Sequence, residues 1–130
     1  MAGREVMWQG EYITAVRDGQ WEYVERARRI AAVVIIAEHD GKIVLVEQER
    51  VPIGRRCLEL PAGLIGDSEG PDSVEAAARR ELAEETGFAA DHFEMLGEYY
   101  SSPGMVAESF TLDGGLSTLA DALARRPNVE

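Results

Sequence analysis

The 130-residue sequence has little cysteine and histidine, with one of the former and two of the latter, and it lacks a long hydrophobic run. The single Cys57 allows no internal disulfide, which fits a reducing compartment. A membrane-spanning helix needs about 20 consecutive apolar residues, and the N-terminus lacks the charged-then-apolar pattern of a signal peptide. We therefore expect a cytoplasmic protein without a membrane partner.

Basic residues are also scarce, since 13 Lys and Arg stand against 24 Asp and Glu and give a formal net charge of −11. This balance argues against nucleic acid as a partner, because a phosphate backbone requires a basic patch. A small phosphorylated substrate stays compatible with it, because a bound metal ion reverses the local charge. The length and the 45% hydrophobic content predict one soluble domain over residues 1–130.

Three carboxylates are crowded into the segment Arg80–Phe88, at the end of a helix predicted over Val74–Thr86. A helix turns about 100° per residue, so Glu81, Glu84 and Glu85 fall within an arc of about 100° that also holds apolar residues. Like charges this close repel one another. One interpretation is an exposed helix face with ion pairs to arginine. The other is a divalent cation site, and an all-oxygen site without Cys or His suits Mg²⁺ or Mn²⁺.

Alternating and β-branched segments predict a sheet on either side of this helix. Residues 1–29 are expected to form an N-terminal β-hairpin region turning at Asp18-Gly19, and the apolar run Ala31–Ala37 a central strand covered on both faces. The other predicted strands cover 42–47, 57–60, 93–100 and 105–112, with a break at 113–115 and a helix over 117–126. The helix before the glutamates is expected to begin with a capping box from Asp72 to Glu75, or with Ser73 as the alternative cap, and to end with a left-handed C-cap at Gly87.

Two groups of side chains are candidates for binding a substrate. Arg50, Arg55 and Arg56 lie around a predicted basic loop, 53–56, where they either balance charge or anchor a phosphate or carboxylate. Trp21, like Trp8 and Tyr23, is interpreted first as a core or dimer-interface residue, with stacking on a nucleobase as the alternative.

Gly63, Glu69 and the segment Arg80–Phe88 together resemble the Nudix box. That box is a Gly, five residues, a Glu, seven residues, and then Arg-Glu-aliphatic-x-Glu-Glu-x-Gly-aliphatic. Its second half matches in full, with Phe88 as the last hydrophobe. Residues 45–48 and 58–63, and Pro103 beyond the box, are similar to the ADP-ribose and nucleoside-diphosphate-sugar pyrophosphatase branch.

The resemblance implies an α/β fold: an α/β/α sandwich around a mixed β-sheet, with residues 63–88 forming loop–helix–loop. It implies hydrolysis of the diphosphate bond in a nucleoside diphosphate sugar, with ADP-ribose or GDP-mannose as examples. The implied metal ligands are the Ala62 carbonyl, Glu81, Glu84 and Glu85. Beside them, the candidate substrate-binding residues are Arg50, Arg55, Arg56, Glu59 and Trp21. Arg80 would orient a box glutamate, and N-terminal strands would cross in a homodimer.

Two departures from the family pattern stand out. Ten residues separate Glu69 from Arg80, three more than in the box, which puts the role of Glu69 in question. Members of this branch also usually continue well beyond a position like Leu112 and add a loop with a catalytic Glu, so the chain is either naturally short or lacks part of its sequence. Of the remaining acidic residues Glu98, Glu108 and Asp113, we prefer Glu108 as the general base because it follows the Ser-Pro-Gly loop.

Both departures motivate an alternative of another class, which is a non-catalytic nucleotide-binding or regulatory Nudix module. A carboxylate placed across the metal site from Glu85 would favour the enzyme over this alternative.

Overall fold

The computed structural model describes residues 3–27, 31–65 and 73–116. The first sheet lies at the N-terminus and is antiparallel, with strand order β1-β2-β3 for β1 (Arg4–Gln9), β2 (Ile13–Asp18) and β3 (Trp21–Arg26). The predicted hairpin therefore has an extra strand. The Gly10 N–H donates to the Ile13 carbonyl at 2.8 Å, and this tight turn adds a second reversal to the region that we predicted as one hairpin.

The structure has a two-residue turn in the N-terminal sheet and another after the central strand, and their backbone conformations differ. In the first, Asp18 pairs with Trp21, so Gly19 and Gln20 form the turn, and Gly19 has a φ of +61°. In the second, Asp40 (φ +51°) and Gly41 (φ +72°) are both left-handed, as a type I′ turn requires. The first hairpin therefore turns at Gly19-Gln20, one residue later than predicted, and the type I′ turn is the separate one at Asp40-Gly41.

The remaining strands form a mixed sheet and a separate two-stranded ribbon. The strands are β4 (Ala31–His39), β5 (Lys42–Ile43), β6 (Val46–Arg50), β7 (Arg55–Glu59), β8 (Ala62–Ile65), β9 (His92–Tyr100) and β10 (Ser109–Leu116). The mixed sheet has the order β5-β4-β10-β9, with β8 also paired to β4, and β6 pairs with β7 in the ribbon. Strands β4 and β10 are parallel, while the other pairs are antiparallel.

Several sequence predictions in this region were wrong in their bounds, and the strand expected over 105–112 lies at Ser109–Leu116. The strand expected over 42–47 is divided between β5 and β6, and the expected basic loop 53–56 is half strand, because a 3-10 turn over Val51–Ile53 makes the reversal earlier. The break expected at 113–115 is part of β10, where parallel pairing to β4 continues to Leu116. Backbone pairing on both sides holds these glycines extended, so local propensity did not decide the outcome.

The helix α1 (Ser73–Thr86) packs across one face of the mixed sheet. Its Ala77, Ala78 and Leu82 are fully buried against Val33 and Ile35 of β4. The central strand is confirmed in position, but its alternate residues on the other face are only half-buried. This described helix has 14 residues, several of them charged, and is too short and too polar to span a membrane.

The C-terminal end of α1 is fixed by a predicted cap. Gly87 has a φ of +77°, and its N–H donates to the Ala83 carbonyl at 2.8 Å. The Thr86 hydroxyl bonds back to the Leu82 carbonyl and accepts the Phe88 N–H. Orphan groups at the helix end are thereby satisfied, and the last turn, which carries the glutamates, is held in place.

A carboxylate, Asp113, is buried under this helix with 2% of its surface exposed. It lies beside Ile35 in the parallel register, and no hydrogen bond reaches its Oδ1 from the residues that the structure describes. Burial raises the pKa of Asp113 and Glu75 adds to the rise, while the Gly114 N–H and Arg79 oppose it.

We expect Asp113→Asn to raise the melting temperature by about 3 °C at pH 8. Because the pKa of Asp113 is higher in the folded than in the unfolded chain, the wild type loses stability as pH rises from the ordinary value of about 4 through the folded value. The isosteric amide removes that loss. Thermal unfolding at pH 4 and pH 8 measures the effect, with Glu94→Gln at an exposed position on β9 as the control. An equal difference at both pH values would contradict this account.

Candidate active site

Two glutamates of the last helical turns lie against strand β8, and a glycine makes the approach possible. Gly63 is directly opposite Val33, so the two residues face α1 together. A Cβ added at Gly63 would overlap the Glu81 side chain, reaching its Oε1 at 2.5 Å. Glu81 thus occupies the space that a side chain on β8 would fill.

The backbone of Ala62 turns toward the same helix. Directly before β8, the Pro61 carbonyl accepts the Ile35 N–H of β4 at 2.8 Å, so hydrogen bonding with β4 uses Pro61 and Gly63 and skips Ala62. The N–H and carbonyl of Ala62 therefore point away from β4. The Ala62 N–H donates to Glu85 Oε2 at 3.4 Å, which leaves the Ala62 carbonyl oxygen at the same edge as this carboxylate.

Glu81 and Glu85 are in surroundings that disfavour two negative charges without a bound cation. Burial raises the pKa of Glu85, with the Glu81 carboxylate adding to the rise and the Ala62 N–H and Arg50 opposing it. Burial also raises the pKa of Glu81, with Glu84 adding to the rise and Arg80 opposing it. A cation bound between these carboxylates would relieve both effects.

The other two box residues take outer positions. Glu84 is exposed, about one helical turn after Glu81. The Arg80 Nη2 lies 3.8 Å from Glu81 Oε1 and 3.5 Å from the Leu64 carbonyl oxygen. Within residues 3–27, 31–65 and 73–116, no three acidic, His or Cys side chains are close enough to hold a metal by themselves. The donor set that the structure assembles is two carboxylates and a backbone oxygen, which fits Mg²⁺ with its retained waters. A third ligand at Glu84 stays a prediction.

The β6–β7 ribbon presents an arginine toward this pair. Arg50 is bound by Glu59 through two hydrogen bonds, at 2.7 Å from Nε and 2.5 Å from Nη2. This contact raises the pKa of Arg50 and lowers that of Glu59. Both charges act on the Glu85 carboxylate. The structure therefore places Arg50 and Glu59 near enough to Glu85 for their charges to act on it.

Strand alternation separates the three candidate arginines. Arg55 is directly opposite Arg50 and shares its face of the ribbon. Arg56 lies on the other face and forms an ion pair with Glu47 at 2.5 Å. Of the three, Arg56 is thus the one turned away from Glu59, and charge balance accounts for it.

Trp21 lines a cleft of about 500 Å³ between the N-terminal sheet and the loop after β9. Asp18 and Tyr23 lie on the same wall, and the opposite wall is formed by Pro103, Gly104 and Ala107. An open cleft with two aromatic rings fits a flat ring system. Trp8 instead lies over Gly10, within its own sheet.

Glu108, the preferred candidate for the general base, is engaged elsewhere. Its carboxylate forms an ion pair with Arg26, and the Arg26 Nη2 donates to Glu108 Oε1 at 3.3 Å. Glu98 is exposed on β9, and Asp113 lies in the core. Sequence reasoning missed Arg26 entirely, since a contact between residues 82 positions apart leaves no local signal. Glu69, the loop 66–71, the Asp72 cap and the predicted helix 117–126 lie outside the described residues.

Comparisons with known proteins find a matching family, similar sequences and a similar solved structure. The NUDIX domain family matches residues 27–116. A methanol dehydrogenase activator of Bacillus methanolicus is 37% identical over 82% of this chain and 56% of its own length. An ADP-ribose pyrophosphatase of Bacillus subtilis is 40% identical over 60% of this chain and 40% of its own length.

A solved structure has the same fold. It is a crystal structure of an ADP compounds hydrolase, which superposes with a TM-score of 0.69 at 22% identity over 87% of this chain and 64% of that one. The chain spans about half the length of the curated relatives it matches. The match over residues 27–116 includes the mixed sheet, α1 and the glutamate pair, and the chain belongs to the Nudix family.

Proposed function

We propose that this chain is a metal-dependent pyrophosphohydrolase that cleaves the diphosphate bond of a nucleoside diphosphate sugar. ADP-ribose, cleaved to AMP and ribose 5-phosphate, is the first candidate, and a GDP-mannose-type substrate is the second. The observation that carries the proposal is the pair Glu81 and Glu85, packed over Gly63 and beside the outward backbone of Ala62. The relative named ADP-ribose pyrophosphatase supports the choice of substrate.

In this proposal Glu81, Glu85 and the Ala62 carbonyl hold Mg²⁺ or Mn²⁺, with Glu84 as a further ligand and Arg80 keeping Glu81 in place. When bound, the ion polarises the diphosphate oxygens and lowers the pKa of a water. Arg50 is oriented by Glu59 so that its remaining N–H groups bind phosphate oxygens. Trp21 stacks on the nucleobase. Catalysis then depends mostly on positioning and charge neutralisation.

A product assay over a panel of substrates tests the proposal. ADP-ribose, GDP-mannose, NADH, diadenosine polyphosphates and nucleoside triphosphates are incubated with and without Mg²⁺, and products are separated by chromatography. We expect Mg²⁺-dependent release of AMP from ADP-ribose at a higher rate than from the other substrates. Faster cleavage of GDP-mannose would make GDP-mannose the preferred substrate and leave the proposed reaction, hydrolysis of a diphosphate bond, unchanged.

A regulatory module is the second candidate function. The relative named methanol dehydrogenase activator matches across most of this chain, which favours a Nudix module that acts on another protein. Absence of turnover for every substrate, together with nucleotide-induced thermal stabilisation, would support this candidate over the enzyme.

We also propose a cytoplasmic homodimer formed through the N-terminal sheet. Large apolar side chains on that sheet are exposed, including Trp8 at 58% and Tyr12 at 71%. Several large apolar side chains exposed on one small sheet support an interface there. A monomer in light scattering at micromolar concentration would contradict the dimer.

A further inference from the structure

We propose that Arg26 and Glu108 form a brace that sets the width of the Trp21 cleft, so that both are positioning residues for the nucleobase. The part about the nucleobase rests on the proposed function, whereas the brace itself is a property of the fold. This inference assigns Glu108 a role other than the general base.

The cleft has two walls that belong to different parts of the chain. One is the edge of the N-terminal sheet at Trp21 and Tyr23, and the other is the loop at Pro103 and Gly104. The distance between the rings and the loop therefore depends on how firmly β3 is joined to that loop.

Among the described residues, the backbone join between the walls is short. It consists of a single parallel bridge between Val24 and Val106. The Val24 N–H donates to the Met105 carbonyl and the Ala107 N–H donates to the Val24 carbonyl, both at 2.8 Å. Two hydrogen bonds at a sheet edge open readily unless side chains hold them.

The ion pair lies directly beside this bridge, two residues after Val24 and two after Val106. Both side chains are largely covered, with 30% of Arg26 and 24% of Glu108 exposed. Coverage strengthens an ion pair relative to an exposed one. The Arg26 Nη2 donates to Glu108 Oε1, while Nε lies beside Glu108 Oε2 without making a hydrogen bond.

Neither partner lines the cleft, which separates bracing from binding. Residues alternate between faces along a strand, so Arg26 leaves β3 on the face opposite Trp21 and Tyr23. On the loop, Ala107 lines the cleft and its neighbour Glu108 does not. The ion pair therefore affects a bound substrate only by holding the two walls of the cleft in position.

Amide hydrogen exchange tests the brace without substrate or metal. In Arg26→Ala and in Glu108→Gln, we expect the amides of Val24 and Ala107 to exchange about 3- to 10-fold faster than in the wild type. The charge-swapped double variant, Arg26→Glu with Glu108→Arg, should restore slow exchange. Arg17→Ala is the matched control, because it removes an ion pair with Glu22 at 3.0 Å within the same sheet but away from the bridge.

Kinetics provide the second readout. Each single variant should raise KM for ADP-ribose by a similar factor with kcat unchanged, and the swap should restore KM. Unchanged exchange at Val24 and Ala107 in both single variants would overturn the brace. So would a fall in kcat of orders of magnitude in Glu108→Gln that the swap does not restore, since this is the behaviour of a general base. A wild type without turnover would refute the proposed function and leave the exchange data to decide on the brace.

Discussion

Glu85→Gln is expected to lower the Mg²⁺-dependent kcat for ADP-ribose by about 10³-fold. The substitution preserves the size of the side chain and the acceptor for the Ala62 N–H, which lies 3.4 Å away. It removes one of the two charges that face each other beside β8. The loss should fall on kcat more than on KM, because Arg50 and Trp21 still hold the substrate.

Metal binding gives a readout that does not depend on turnover. A ligand at 100 times its dissociation constant stabilises the folded state by about 2.7 kcal/mol. We expect Mg²⁺ or Mn²⁺ to raise the melting temperature of the wild type and to leave that of Glu85→Gln nearly unchanged. Without metal, the variant should be at least as stable as the wild type, because burial already disfavours the Glu85 charge.

Glu94→Gln is the matched control for this experiment. It makes the same change of charge at an exposed position on β9 and should preserve both kcat and metal-induced stabilisation. Equal rates for Glu85→Gln and the wild type would refute the metal site. Equal loss in both variants would point to net charge as the cause.

The elements that sequence predicted well are those whose signals are local. Helix α1 follows from its helix-forming residues and from Gly87, whose φ of +77° matches the expected cap. The central strand follows from an apolar β-branched run. The segment 113–115 was predicted as a break because its own residues favour one, and pairing with β4 and β9 overrode that preference.

The candidate site was predictable only in part, for a related reason. The spacing of Glu81 and Glu85 on one helix is local, and the resemblance to a Nudix box supplied Gly63. Side chains alternate between the two faces of the ribbon, so the register of its two strands decides which arginine shares a face with Glu59, and the sequence does not give that register. In the structure Arg50 binds Glu59, while Arg56 lies on the other face and pairs with Glu47. The join of Arg26 to Glu108 depends on the whole fold.

Gly63→Ala is expected to reduce metal-dependent kcat by about 10²-fold while the protein stays folded. The added Cβ would overlap Cγ and Cδ of Glu81, and these atoms belong to a flexible side chain that can move aside. The strand pairing of β8 uses only backbone groups and should survive. We expect a loss of about 1–3 kcal/mol in unfolding free energy, as for other overpacked sites.

Gly114→Ala provides the comparison, because its added Cβ would meet Leu96 at 3.5 Å, an ordinary contact. It should retain both kcat and metal-induced stabilisation. In Gly63→Ala the displaced Glu81 should weaken metal binding, which a metal titration of the melting temperature measures. The double variant Gly63→Ala with Glu81→Ala should regain the unfolding free energy lost to the overlap but not the activity. Wild-type activity in Gly63→Ala would show that the position of Glu81 over β8 has no part in catalysis.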